Sequence, residues 1–174
     1  TFVKVPTDPR FALPGFTVEA VVAPEALPTD ATVIRRIVAE TDGTPRANYE
    51  LGFDSAGHAF ARFRAVDDSA AVTTRAPEPV EWRADGRLWT HLAASYNRSG
   101  HYLNLYVNGN LVDTVFGILP MTVGEGPIYQ RIGESFDGAI DEIRVWDTPL
   151  APADIRANMQ IGRASCRERV CHRV

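Results

Sequence analysis

The chain of 174 residues is poor in cysteine: it has two, Cys166 and Cys171, and both fall in its last stretch, IGRASCRERVCHRV (161–174). Their spacing is not CxxC, no second pair exists, and His172 is the only other ligand type beside them, so a zinc or dithiol site finds no support. No hydrophobic run approaches the roughly 20 residues that a spanning helix needs, which argues against membrane insertion. Clustered positive charge is missing from the body of the chain. The formal charge of −4 is spread along it with both signs interspersed, which argues against nucleic acid or an anionic membrane as partner. The opening TFVKVPTDPR has neither an initiator Met nor a signal-like apolar core, and reads as cut from something longer.

The last stretch differs from the rest. It carries Arg163, Arg167, Arg169 and Arg173 against Glu168 alone, and has neither helical nor strand periodicity. The DNA string ATC GGA AGA GCG TCG TGT AGG GAA AGA GTG encodes Ile161 through Val170 and is similar to a common sequencing-library adapter. Residues 161–174 are therefore expected to be adapter read-through, and one domain is expected over 1–160, a comfortable size for a single core. That body carries −7, the tail's +3 having been removed, and contains no cysteine.

What is present is a series of short β-type runs. FTVEAVVAP (16–24) is rich in β-branched residues and stops at Pro24, which cannot donate to a ladder. TVIRRIVAE (32–40) follows a Pro28–Thr29–Asp30 turn, and TDGTPRA (41–47) reads as the next turn. YELGFDSAGHAFARFRAV is expected to be a hairpin turning at 54–57. In WTHLAASYNRSGHYLNLYVNGNLVDTVF (89–116) the Asn97-Arg98-Ser99-Gly100 turn and Asn108–Gly109, a dipeptide suited to a type I′ turn, divide three strands of a meander. Leu103, Leu105 and Val107 then face the core, while Tyr102, Asn104 and Tyr106 point outward or toward a second layer. IYQRIGES and GAIDEIRVW add two strands, and TPLAPADIRANM closes with a short helix, Pro152 and Asp154 suiting its first turn.

Four phrases in order, GFTVEAVVAP, YELGFDSAGHAFARF, LWTHLAASYNRSGHYLNLYVNGNLV and FDGAIDEIRVWDTPLAPADI, resemble the landmarks of a laminin-G-like jelly-roll domain of the concanavalin A-like superfamily. The resemblance runs from about Phe2 to Met159. It implies an all-β fold, an antiparallel jelly-roll sandwich of two sheets with a short C-terminal helix and with Trp89 and Trp146 near the core. FVKVP would be the end of a first strand whose opening residues are missing. HLAASY is similar to the pentraxin signature, with Ala93 in the cysteine place and Tyr96 in the tryptophan place. The acidic calcium loop of pentraxins is replaced by ESFD (134–137) alone, so that calcium site does not carry over.

Glycoside hydrolases also use this superfamily, and they need two carboxylates across one bond, spaced i, i+2 or i+4 on a strand face. The only acid pair on a late strand, Asp141–Glu142, is adjacent and points to opposite faces. Asp141 is expected to share a face with Ile143 and Val145, where it needs either backbone donors or a cation such as Ca2+, with Asp137 as a second ligand. Glu142 and Arg144 read as a solvated pair, and His91 as a packed residue at a sheet edge. His58 and His101 sit at turns, with no nucleophile placed beside them. Asn97-Arg98-Ser99 matches a glycosylation sequon and is equally good turn chemistry. Exposed aromatics are what a sugar stacks on, which makes Trp82, Tyr102, Tyr106 and Tyr129 the candidate ligand-binding residues, with TDGTPRA and AVDDSA as a candidate polar rim. The sequence thus reads as a non-catalytic module of a secreted or cell-surface protein that binds a glycan or an extracellular protein, or serves as a spacer. The other class left open is a carbohydrate-active enzyme.

Overall fold

The computed structural model describes residues 2–6, 13, 15–41, 44–64, 71–117 and 129–165, by backbone alone at 36–47, 71 and 160–165. Two antiparallel sheets pack face to face. The six-stranded sheet has the order β1 (Val3–Val5), β10 (Tyr129–Glu134), β3 (Thr32–Thr41), β4 (Thr44–Phe53), β5 (His58–Arg64) and β6 (Ala71–Pro79). The five-stranded sheet has the order β11 (Gly138–Trp146), β2 (Phe16–Pro24), β7 (Thr90–Asn97), β8 (Tyr102–Val107) and β9 (Asn110–Phe116). Among the described residues one helix, α1 (Pro152–Ser165), follows the last strand. This is the expected jelly-roll sandwich.

Strand alternation builds the core. Val18, Ala20 and Val22 of β2, Ala94 and Tyr96 of β7, and Leu103 and Leu105 of β8 meet Tyr49, Leu51 and Phe53 of β4 and Ala59, Ala61 and Phe63 of β5. At its centre the Phe16 ring lies 5.0 Å from Tyr49 and 5.1 Å from Phe63, and Phe63 stacks on Tyr96 at 4.7 Å. Offset and tilted ring contacts of this kind add about 0.5–1.5 kcal/mol each beyond the area they bury. The Asn108–Gly109 turn has the two positive φ angles, 49° and 72°, that its type requires.

Several expectations are corrected. β6 lies in a stretch whose Pro77 and Pro79 hide a strand; as the last strand of its sheet it tolerates them, because an edge leaves one row of N–H groups unpaired anyway. TDGTPRA is mostly strand, since β4 begins at Thr44. Trp89 and Trp146 are only partly buried and lie outside the central core. The helix, expected over TPLAPADIRANM, runs to Ser165. Cys166, Cys171 and the AVDDSA segment (65–70) lie outside the described residues.

Candidate functional site

Strand pairing in the six-stranded sheet brings one residue from each strand into a single crosswise row. Lys4 pairs with Arg131, Arg131 with Arg35, Arg35 with Glu50, Glu50 with Arg62, and Arg62 with Thr73. The neighbours on each side along these strands, such as Leu51, Ala61 and Ile132, point into the core, so the row lies on the sheet's outer face. At roughly 4.8 Å per strand it spans about 24 Å. It holds four cations and one carboxylate, in a chain whose formal charge is −4.

Local bonds fix these side chains. Glu134 bridges two of them, accepting from Arg131 Nη1 at 2.9 Å and from Arg35 Nη2. Arg131 Nη2 donates to the Tyr129 hydroxyl at 2.8 Å, and Lys4 Nζ sits 3.9 Å above the Tyr129 ring. Burial alone would lower the Arg131 pKa, but Tyr129 and Glu134 outweigh it and hold the guanidinium more firmly protonated than usual. Glu50 accepts from Thr32 Oγ1 at 3.0 Å and from Arg62 Nη1 at 3.4 Å. The Nε of Arg35 is buried and has no hydrogen-bond partner among the described residues. Arg62, with 45% of its side chain exposed, is the most open guanidinium of the row. Preset guanidinium groups on a rigid sheet face can take a carboxylate in bidentate fashion.

The four aromatic candidates divide. Trp82 is 44% exposed, in the segment after β6. Tyr102 is half-buried; its hydroxyl accepts from Asn97 Nδ2 at 3.1 Å and its ring meets Phe116 edge-on. Tyr106 is 1% exposed and packs with Ala93 and Ile155 under α1, so its ring is covered by the helix and offers no stacking surface. Tyr129 is 5% exposed beneath Lys4 and Arg131, and belongs to the site as a support for cations and not as a stacking platform. The Asn97 side chain also takes the Gly100 amide at 2.8 Å, which is its turn role.

Asp141 does not share a face with Ile143 and Val145. A bulge between Asp141 and Arg144, with Glu142 at φ 50°, shifts the alternation by one residue, so Ile140, Ile143 and Val145 pack on the core while Asp141, Arg144 and Trp146 lie on the outer face. Asp141 Oδ1 accepts the Glu142 amide at 2.8 Å, and Asp137 is exposed in the turn before β11. Among the described residues no group of three or more His, Cys, Asp or Glu side chains is placed to hold a metal ion, and Asp137 and Asp141 belong to no such group.

The sequence reading missed Glu19. On the outer face of the five-stranded sheet it is fully buried beneath α1, and its Oε1 accepts from Trp146 Nε1 at 3.0 Å, Asn158 Nδ2 at 3.1 Å and Arg144 Nη1 at 3.2 Å. His91 Nε2 lies 3.4 Å from Oε2, and His91 belongs to β7, the central strand of that sheet and not an edge. Burial pushes the Glu19 pKa up, but His91, Trp146 and Arg144 outweigh it and leave the carboxyl below its ordinary 4.5. The Glu142–Arg144 pair is therefore not merely solvated, since Arg144 also reaches this buried carboxylate. The signal available was a lone Glu amid an apolar strand, FTVEAVVAP, which must find partners once that strand is buried on both faces.

With this geometry established, the family follows. The model of the concanavalin A-like lectin/glucanases superfamily matches residues 1–156, and the chain belongs to that family. Among solved structures it is similar to the carbohydrate-binding module (CBM40) of the Ruminococcus gnavus IT-sialidase bound to α2,6-sialyllactose, with TM-score 0.70, 17% identity, and 85% of this chain and 84% of that one covered. It is also similar to domain 4 of an extracellular GH43 arabinanase from Geobacillus stearothermophilus in complex with arabinotriose, with TM-score 0.68, 20% identity, and coverage of 91% and 72%. A SAP-like pentraxin of Limulus polyphemus matches with TM-score 0.59, 16% identity, and coverage of 83% and 69%. At these identities the likeness shows the fold. Comparison with curated proteins gave no match.

Proposed function

We propose that the chain is a non-catalytic glycan-binding module, and that the row from Lys4 to Arg62 binds a sugar carrying a carboxylate. The observation that supports this reading is the concentration of four cations against two acids, Glu50 and Glu134, on one sheet face of an otherwise acidic chain. Similarity to modules bound to sialyllactose and arabinotriose supports a glycan as the ligand class. Catalysis by a glycosidase pair is disfavoured here because Glu50 and Glu134 are both occupied as hydrogen-bond acceptors of guanidinium groups. Secretion or display at a cell surface fits a domain of this kind; no helix among the described residues is long and apolar enough to cross a membrane.

Isothermal titration with 3′-sialyllactose and with lactose tests the reading. The acidic sugar is expected to bind at least about tenfold more tightly, a difference of about 1.4 kcal/mol. Equal affinities for the two would sink the assignment to this face.

A further inference from the structure

We propose that the chain carries a second glycan subsite, for an uncharged sugar ring, in the cleft between Trp89 and the segment 77–82 at one end of the sandwich. The assignment borrows its ligand class from the glycan-binding reading and takes its place from different residues.

After β6 the chain crosses the opening between the two sheets. Beneath it lies a cleft of about 420 Å3, walled by Trp89 and Leu88, by Pro77 and Pro79, and by Val107 and Val112 from the facing sheet. That volume falls within the roughly 300–1,000 Å3 of small-ligand sites. The charged side chains that line it are Glu78 and Glu81, both exposed. A shallower neighbouring groove shares Glu78 and Glu81 and adds Trp82, Leu27 and Arg83. The two carboxylates thus line both the Trp89 cleft and the Trp82 groove.

The crossing segment is tied down. Val80 N donates to Gly57 O at 2.9 Å, Arg83 N to Pro24 O at 3.3 Å, and the His58 ring bonds Ala76 O at 2.9 Å. Pro77 and Pro79, at the end of β6, stiffen the approach to it, so the cleft needs little ordering on binding. A pyranose or furanose offers a C–H face to an indole and hydroxyl donors to carboxylates, which is what this lining accepts. An acidic sugar would meet Glu78 and Glu81 with like charge. The cleft and the basic sheet face therefore sort sugars by charge, the cleft taking the neutral units of a glycan and the face its acidic ones.

The three tryptophans allow a direct test, because each contributes one indole N–H signal to an 15N-correlated NMR spectrum. Trp146 is an internal control, its N–H being bonded to Glu19 on the outer face of the five-stranded sheet. The full chain is titrated separately with cellotriose, maltotriose, xylotriose, 3′-sialyllactose and tetramethylammonium. At least one neutral trisaccharide is expected to move the Trp89 and Trp82 signals while Trp146 stays put, and Glu78→Ala with Glu81→Ala to weaken that titration about tenfold. The proposal is overturned if no neutral trisaccharide moves either signal, if tetramethylammonium alone does, or if the neutral sugar instead perturbs residues of the Lys4–Arg62 row. Should sialyllactose fail to bind the row while a neutral sugar titrates Trp89, the acidic-sugar reading falls and this one stands; the opposite pattern removes this one and leaves the other.

Discussion

Arg35 and Arg131 stand directly opposite each other on β3 and β10, and one carboxylate, Glu134, bonds both. Like charges in direct cross-strand register are destabilising, so the arrangement persists because Glu134 offsets part of the repulsion. One carboxylate against two guanidinium groups leaves an excess positive charge that a ligand carboxylate can meet.

Glu134→Gln is expected to lower stability by roughly 1–2 kcal/mol, the scale of lost charge-assisted hydrogen bonds at partly exposed groups. In urea unfolding, 3′-sialyllactose should then stabilise the variant more than the wild type, since the sugar acid replaces the missing charge. A variant as stable as wild type and indifferent to the sugar would show that the two arginines do not need a shared anion.

Arg62 is the most exposed arginine of the row, so reversing its charge tests binding with little effect on packing. Arg62→Glu should weaken acidic-sugar binding about tenfold or more, and wild-type affinity should fall as salt rises from 0.05 to about 0.5 M because exposed charges are screened. Affinity unchanged in both tests would remove electrostatics from recognition at this face.

Glu19 carries the largest expected stability effect. Removing its charge by Glu19→Gln leaves the Arg144 guanidinium without its buried partner, and a loss of about 3–5 kcal/mol is expected from denaturant unfolding. Because the carboxyl sits below its ordinary 4.5 in the folded state, its contribution is fully present above that pH. It is lost as pH falls through the lower, folded value. Glu19→Gln should flatten the acid side of the stability profile below about pH 4.5, and an unchanged acid limb would contradict the role given to this group.

Calcium should do little. With Asp141 bonded to the neighbouring amide and Asp137 exposed in a turn, melting temperatures in millimolar calcium and in chelator are expected to agree within about 1 °C. A micromolar site would instead add roughly 4 kcal/mol, a shift of several degrees. A shift of that size, abolished by Asp141→Ala, would put a cation at the β10–β11 turn.

Where two-residue alternation and turn chemistry act locally, the sequence was readable: β2 and β11 begin and end where their runs predict, and Asn108–Gly109 turns as its φ angles demand. Reading failed where one residue interrupts the alternation. The extra residue at Glu142 reversed the face assigned to Asp141, and two prolines concealed β6. The basic row was illegible for a different reason. Lys4, Arg131, Arg35, Glu50 and Arg62 lie on five strands far apart in sequence, and only the pairing register aligns them. Tyr106 misled because an outward-facing strand residue is exposed only if nothing packs above it, and here Ile155 of α1 does.

The most direct test of the central claim is amide chemical-shift mapping of 3′-sialyllactose on the full chain. The account predicts that the largest changes fall on Arg35, Glu50, Arg62 and Arg131, across four neighbouring strands, with saturable titration. Changes confined to the Trp82–Trp89 end, or none at all at millimolar sugar, would contradict it.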